Sequence, residues 1–230
     1  MPKSHERIAQ EREFRKARIA DAAMHLFGEH GFSSVSVEQI AEASGYTRVS
    51  VYNHFRGKPM IYLYLVQRGC EELAREIEKS VGVELPPEEA FRAFLFCLIE
   101  AVQKQPSFFE LYFLERERVQ RDMSAEEVQT LEDAQLRVER PSRELFERGL
   151  AAGAYRDVEA AVAVNLFFSS FAGAILLYRT HSFRANLRQL LEAVGHYFLR
   201  GLQAHGGAYP LPTRELPPSA ELPALSALGR

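Results

Sequence analysis

Residues 36–58 read SVEQIAEASGYTRVSVYNHFRGK, and the fold turns on this stretch. Ser36 followed three residues later by Gln39 is a capping box: a serine oxygen takes one free N–H of a helix start, and the Gln39 side chain takes another. The short helix that follows carries Val37, Ile40 and Ala41 on one side. Gly45 breaks it, because glycine enters the left-handed conformation at little cost. A second short helix runs from about Thr47 to Phe55. Gly57-Lys58-Pro59 then opens a longer one, with Pro59 suited to the first helical position.

Upstream, Ile19, Ala23, Leu26 and Phe27 recur at helical spacing within Glu6 to His30, and Gly31 ends that helix. A longer helix followed by two short ones around a glycine turn is the helix-turn-helix plan. Ile40, Ala41, Val51 and Phe55 are placed to pack against the first helix. That leaves Thr47, Arg48, Val49, Tyr52 and Asn53 on the outer side, where a second helix of this plan meets the DNA major groove. Arg48 suits guanine, Asn53 suits adenine and Val49 suits a thymine methyl. Tyr52 and His54 can donate to phosphates, and Lys58 stands at a helix N-terminus, which favours an anion.

Residues 19–66 resemble the DNA-binding domain of TetR/AcrR-type transcriptional regulators. Ala22, Ala23, Leu26, Phe27, Gly31, Ile40, Ala41, Gly45, Thr47, Val51, Tyr52, His54, Phe55 and Lys58 carry the resemblance in order. It implies base-reading or groove-facing roles for Thr47, Arg48 and Val49, and phosphate contacts for Tyr52, His54 and Lys58. Three positions depart from the family pattern: Tyr46 replaces a smaller aliphatic residue, Val49 a small residue and Pro59 an acidic one. The resemblance further implies a second helical domain that binds a small inducer.

The rest of the chain continues the helical signals. Pro87 and Pro106 each start a helix, Ser124 with Glu127 forms another capping box, and Pro141 predicts a kink or break in the helix after it. Asp157 is placed to cap the next helix, and Phe183 to Ala204 reads as the last. The expectation is an all-α fold of about nine helices. It divides into a helix-turn-helix domain at 1–58, a ligand-binding and dimerisation domain at 59–205, and a Pro-rich, flexible tail at 206–230.

Ala160 to Tyr178 is uncharged and near the length of a bilayer span. The all-round apolar rule favours a buried helix instead, and Asn165, Ser169 and Ser170 weaken a span. Ser169, Ala172, Gly173 and Ala174 allow close helix approach, so this helix and the last one form the expected homodimer seam, with Leu191 among its apolar residues. Aromatic residues crowd the second domain. Phe94, Cys97, Phe108, Tyr112, Phe167 and Phe171 are the expected walls of an apolar cavity for a lipophilic or aromatic effector. Filling of an ordinary core is the other reading of the same residues.

The chain has 230 residues, 47% of them hydrophobic, with a net charge of -3, which excludes wholesale disorder and a generally basic nucleic-acid coat. Two cysteines without C-x-x-C spacing fit a reducing cytosol and argue against a zinc site. The charged N-terminus has no apolar signal segment, so a cytoplasmic location is expected. Lys3, Arg7, Arg12, Arg15, Lys16 and Arg18 lie in the first eighteen residues, interleaved with Glu6, Glu11 and Glu13. They read either as an arm that gains affinity for the DNA backbone or as a solvated helix face. No nucleophile elbow, dinucleotide fingerprint or P-loop is present, so no catalysis, cofactor or metal is expected. The resulting expectation is a dimeric repressor that binds a palindromic double-stranded DNA operator and is released by a small molecule. Control by a protein partner is the alternative.

Overall fold

Glycine stops and oxygen caps divide the chain as the sequence dictates. The structure, a computed structural model, describes residues 2–81, 85–156, 158–180 and 186–203. Ten helices follow in order: α1 (Pro2–His30), α2 (Val37–Ser44), α3 (Arg48–His54), α4 (Lys58–Ser80), α5 (Pro87–Lys104), α6 (Pro106–Leu114), α7 (Arg116–Gln120), α8 (Ala125–Ala151), α9 (Ala160–Arg179) and α10 (Leu187–Leu202). Among the described residues there is no strand, only one isolated bridge between Tyr155 and Gln203. The short α7 is the helix beyond the expected nine; no cap or periodicity marks its five residues.

Gly31 and Gly45 both hold left-handed backbone, at φ 78° and 74°, which a side chain would strain. Ser36 and Gln39 form the expected box, with Gln39 N–H donating to Ser36 Oγ at 3.2 Å and Ser36 N–H to Gln39 Oε1 at 2.7 Å. Ser124 and Glu127 repeat the arrangement at α8. Proline at 141 does not end α8. The helix runs through it with the ring buried, so the expected break is absent. The Asp157 cap, the start at Phe183, the end at Ala204 and the tail 206–230 lie outside the described residues. Within them, Asn186 caps α10, its side chain accepting from Gln189 N–H at 2.8 Å.

α1, α2 and α3 form a head around Ile19, Ala23, Ile40, Ala41 and Val51, all buried. α4 leaves the head and packs most extensively against α8 in the body. Phe91, Phe94, Phe146, Phe167 and Phe198 form the centre of the body, with ring centroids 5.2–6.2 Å apart in tilted, edge-on and stacked pairs. Head and body also touch directly. α1 crosses α6, where a Cβ on Gly28 would stand 2.3 Å from Ser107 Oγ.

α9 is the one described helix long and apolar enough to cross a membrane. Here it packs on α8 and α10, burying Ala163, Val164, Phe167, Phe171 and Ala174 in the body. Its other side carries Val162, Leu166, Ser169, Gly173 and Leu177 at helical spacing, open to solvent or half-covered. α10 continues this surface with Tyr197, 74% exposed. Leu191, expected at the dimer seam, is fully buried inside the same chain. It lies on the α10 stripe of Leu191, Gly195, Leu199 and Leu202 that faces the body. Seven-residue and eight-residue repeats look alike for either face, so spacing alone had not separated them.

Candidate nucleic-acid interface and effector cavities

α3 has one core stripe, Val51 and Phe55; Ser50 and His54 are half-buried beside it, and the other positions face outward. Val49 is 70% exposed and Tyr52 43%; Arg48, Thr47 and Asn53 are exposed as well. Thr47 is the N-cap, and its Oγ1 accepts the Ser50 N–H at 3.2 Å. Its hydroxyl thus fixes the helix start while its methyl remains outside.

Arg48 is not a free side chain. Its Nε meets Glu38 Oε1 at 2.9 Å, and its guanidinium lies 5.5 Å from the Tyr52 ring centroid. The hydrogen bond to Tyr52 and the Glu38 charge both favour its protonated form. Glu38 is a residue that sequence reasoning missed. The signal was its place in the first turn of α2, one residue beyond the buried Val37.

His54 is half-buried, and its Nδ1 is enclosed without a hydrogen-bond partner. Burial lowers its pKa, and Arg12, Arg15 and Lys16 lower it further. The basic residues of α1 therefore converge on the C-terminal end of α3. Glu13, which interleaves with them, accepts from the Tyr64 hydroxyl at 2.6 Å, and burial with this bond pushes the phenol up to about 12. Asp21 is paired with Arg68. These two acids tie α1 to α4; of the neighbouring cations, Arg15 is paired with Glu11 and Lys16 lies 5.8 Å from the Tyr64 ring centroid. Tyr46 stacks under Arg18, with 5.4 Å from guanidinium to ring centroid, which accounts for an aromatic residue at this position.

The Lys58 ammonium is engaged within the head. Its Nζ donates to the Phe32 carbonyl at 2.9 Å and the Ser33 carbonyl at 3.3 Å, and lies 4.9 Å from the Phe32 ring centroid. Desolvation lowers its pKa, with Asp122 opposing. Arg118 of α7 donates to Ser33 Oγ at 2.8 Å. The loop between α1 and α2 is thereby strapped to the start of α4 and to the body.

The six expected cavity residues fall into separate groups: Phe94, Phe167 and Phe171 meet ring to ring, and the Phe108 and Tyr112 rings stack at 5.8 Å. Phe94, Phe167 and Phe171 are fully buried against other rings or core side chains and line neither of the two body cavities described next. They correct the expected single cavity: helices in the middle of the body have neighbours on several sides, and close packing takes up their aromatics. Cys97 and Phe108 line a groove of about 600 Å³ between α4, α5 and α6. Tyr112 lines a smaller pocket of about 270 Å³ between α6, α7, α8 and α9. Gly69 makes room for Phe108, whose ring would lie 2.2 Å from a Cβ there. Among the described residues no group of His, Cys, Asp or Glu is disposed to hold a metal ion.

A family model described as "Bacterial regulatory proteins, tetR family" matches residues 19–65. The helix-turn-helix-type transcriptional regulator TtgW of Pseudomonas putida is 30% identical over 101 residues, 44% of this chain and 72% of TtgW. The chain belongs to the TetR family. The regulator SrpR of Pseudomonas putida is 32% identical over 101 residues, covering 44% of this chain and 46% of SrpR. The chain thus spans about half the length of the first of its curated relatives. The TetR-family regulator PfmR of Thermus thermophilus has a similar structure, with TM-score 0.67 and 26% identity over 81% of this chain and 99% of PfmR. Residues 19–65 are thus the DNA-binding head of a TetR-family transcriptional regulator, and these relatives are regulators rather than enzymes.

Proposed function

We propose that this TetR-family chain is a dimeric, effector-controlled repressor acting in the cytoplasm on a two-fold symmetric operator. One observation carries the DNA half of the reading: α3 presents Arg48, Val49, Tyr52 and Asn53 outward from a start fixed by Thr47. Arg48, Val49 and Asn53 read base edges. Tyr52 and His54 hold the phosphate backbone, joined by Arg12, Arg15 and Lys16. Lys58 serves as a strut for the α1–α2 loop, and the phosphate beside it meets backbone N–H groups instead.

The apolar side of α9 and α10 supports the dimer. Leu166, Gly173, Leu177 and Tyr197 form a surface that a monomer leaves in water. The division falls at Lys58, with 1–58 as reader and 59–205 as sensor and dimer seam. The two body cavities favour a small-molecule effector over a protein partner, since both are concave and partly apolar. An effector that displaces α6 or α7 moves α1 through Gly28 and the α1–α2 loop through Ser33. The change in DNA affinity is then bounded by the effector's differential affinity for the two arrangements.

Selection of bound fragments from a random DNA pool tests the reading, with a two-fold symmetric consensus as the expected outcome. Arg48→Ala then removes about 1–3 kcal/mol of discrimination at one position of each half-site. A consensus without symmetry, or one unchanged in Arg48→Ala, would count against it.

A further inference from the structure

The 270 Å³ pocket between α6, α7, α8 and α9 has walls of mixed polarity, with Phe113, Val164 and Phe168 on the apolar side and two charged residues, Arg116 and Glu139, among the polar ones. Glu139 is claimed by an ion pair with Arg143. Glu115, beside Arg116 in sequence, is engaged by Arg118 at 3.6 Å. Arg116 has no hydrogen-bond or ion-pair partner among the described residues, and its Nε is buried without one. A half-buried guanidinium gives up hydration, and an unmet N–H in such a site is costly.

A second group nearby is also unmet. Tyr62 of α4 is wholly buried, and its hydroxyl has no partner. Arg116 lies close enough to Tyr62 and Tyr112 for its charge to act on both phenols. Burial nevertheless pushes both well above the ordinary tyrosine range, so both remain protonated and able to donate. The neighbourhood therefore offers a fixed cation and one unmet phenolic donor, Tyr62, since the Tyr112 hydroxyl is engaged by the Cys70 thiol, and Glu139 in the pocket wall is already claimed. A planar fork of N–H groups matches a carboxylate, which accepts at both oxygens.

We infer that this pocket is an anion site that takes a small hydrophobic monocarboxylate, with its carboxylate on Arg116 and its hydrocarbon part against Phe113, Val164 and Phe168. The volume holds about nine waters at ~30 Å³ each, which suits an arylacetic or medium-chain acid and excludes large conjugates. Asn165 and Ser169 of α9 also line it, so the pocket opens toward the surface proposed as the dimer seam. Its role as the effector site rests on the effector-controlled reading above; its chemistry does not.

Phenylacetate and octanoate, each beside its amide, are titrated into the full, DNA-free chain by calorimetry and followed by thermal shift. The acids are expected to bind at least about tenfold more tightly than the amides, and Arg116→Gln to weaken acid binding by about 10- to 100-fold without changing amide binding. Arg116→Lys keeps the charge and loses the fork; it retains part of the preference for acids and covers the case in which the glutamine variant does not fold. Equal binding of acid and amide, no acid binding into the ~1 mM range, or acid binding indifferent to both substitutions overturns the site. Operator release is measured separately. Release by a compound that ignores Arg116 keeps the effector reading and overturns this pocket as the effector site; Arg116-dependent acid binding without release supports the site and likewise removes its effector role.

Discussion

The head and the body carry similar apolar patterns, yet the two use them differently. In the head, α2 and α3 are short, and each has a single neighbouring surface to cover. Val51 and Phe55 go inward, so Val49, Tyr52 and Asn53 go out by geometry alone. In the body, α5, α9 and α10 have two to four neighbouring helices each. An apolar residue there has three destinations: core, cavity or partner. A helix period tells how many faces exist but not which neighbour each one meets.

The sharpest way to break this contrast is to cut the same kind of residue in each destination. Phe171→Ala and Phe94→Ala remove fully buried rings and are expected to cost roughly 3–5 kcal/mol in denaturant unfolding, whether or not an effector is present. A small loss, with an altered effector response, would return these residues to a cavity wall. The partner-facing destination is tested by Leu166→Arg, at a position 56% exposed. It is expected to leave the protomer folded and weaken dimerisation by on the order of 100-fold, read by analytical ultracentrifugation. Leu191→Arg is expected instead to unfold the chain, since Leu191 is enclosed. Folded monomers from both would erase the distinction between the two faces of α10 and α9.

Within the head the effects are smaller. Lys58→Met removes two hydrogen bonds from a charged donor and is expected to cost about 1–3 kcal/mol of head stability while leaving the salt dependence of DNA binding unchanged. Lys16→Ala is expected to do the reverse, reducing the salt slope by about one with little change in stability. Exchange of the two outcomes would make Lys58 the phosphate anchor. The smallest effect is a titration. His54 in the folded chain is depressed below its ordinary value near 6.5. Above that value both folded and unfolded chains hold a neutral imidazole, and there is no contribution. As pH falls through it, the unfolded chain takes the proton first, so stability declines until the folded pKa is also passed. An NMR titration of His54 at or above 6.5 in the free protein would remove this decline.

These contrasts also mark how far the sequence was legible. Capping boxes and glycine stops declare themselves within four residues, which is why Ser36, Gly45, Thr47 and Ser124 led to the helices they bound. The outer face of α3 followed because one core stripe determines the opposite side. Lys58 was placed by its helix N-terminus and by family position, but its partners, Phe32 and Ser33, lie 26 and 25 residues away, and no local pattern announces a backbone carbonyl as a ligand. Glu38 was missed for a related reason: the turn at Gly45 folds α2 back so that its first turn reaches the start of α3. Arg116 drew no notice because an arginine at a helix start reads as solvated until its neighbours are known.

The Glu38–Arg48 pair has a kinetic consequence. A guanidinium already held by a carboxylate gains little from a random base edge, because it must first give up its own partner. Glu38 also brings a negative charge toward the phosphate-lined groove, which shortens the stay on sequences that offer Arg48 nothing better. A base that accepts two N–H groups outbids a carboxylate held in so exposed a pair. Under the base-reading role proposed for Arg48, the head gives up residence on wrong sites for speed in leaving them, and one acid on α2 takes part in its search along DNA.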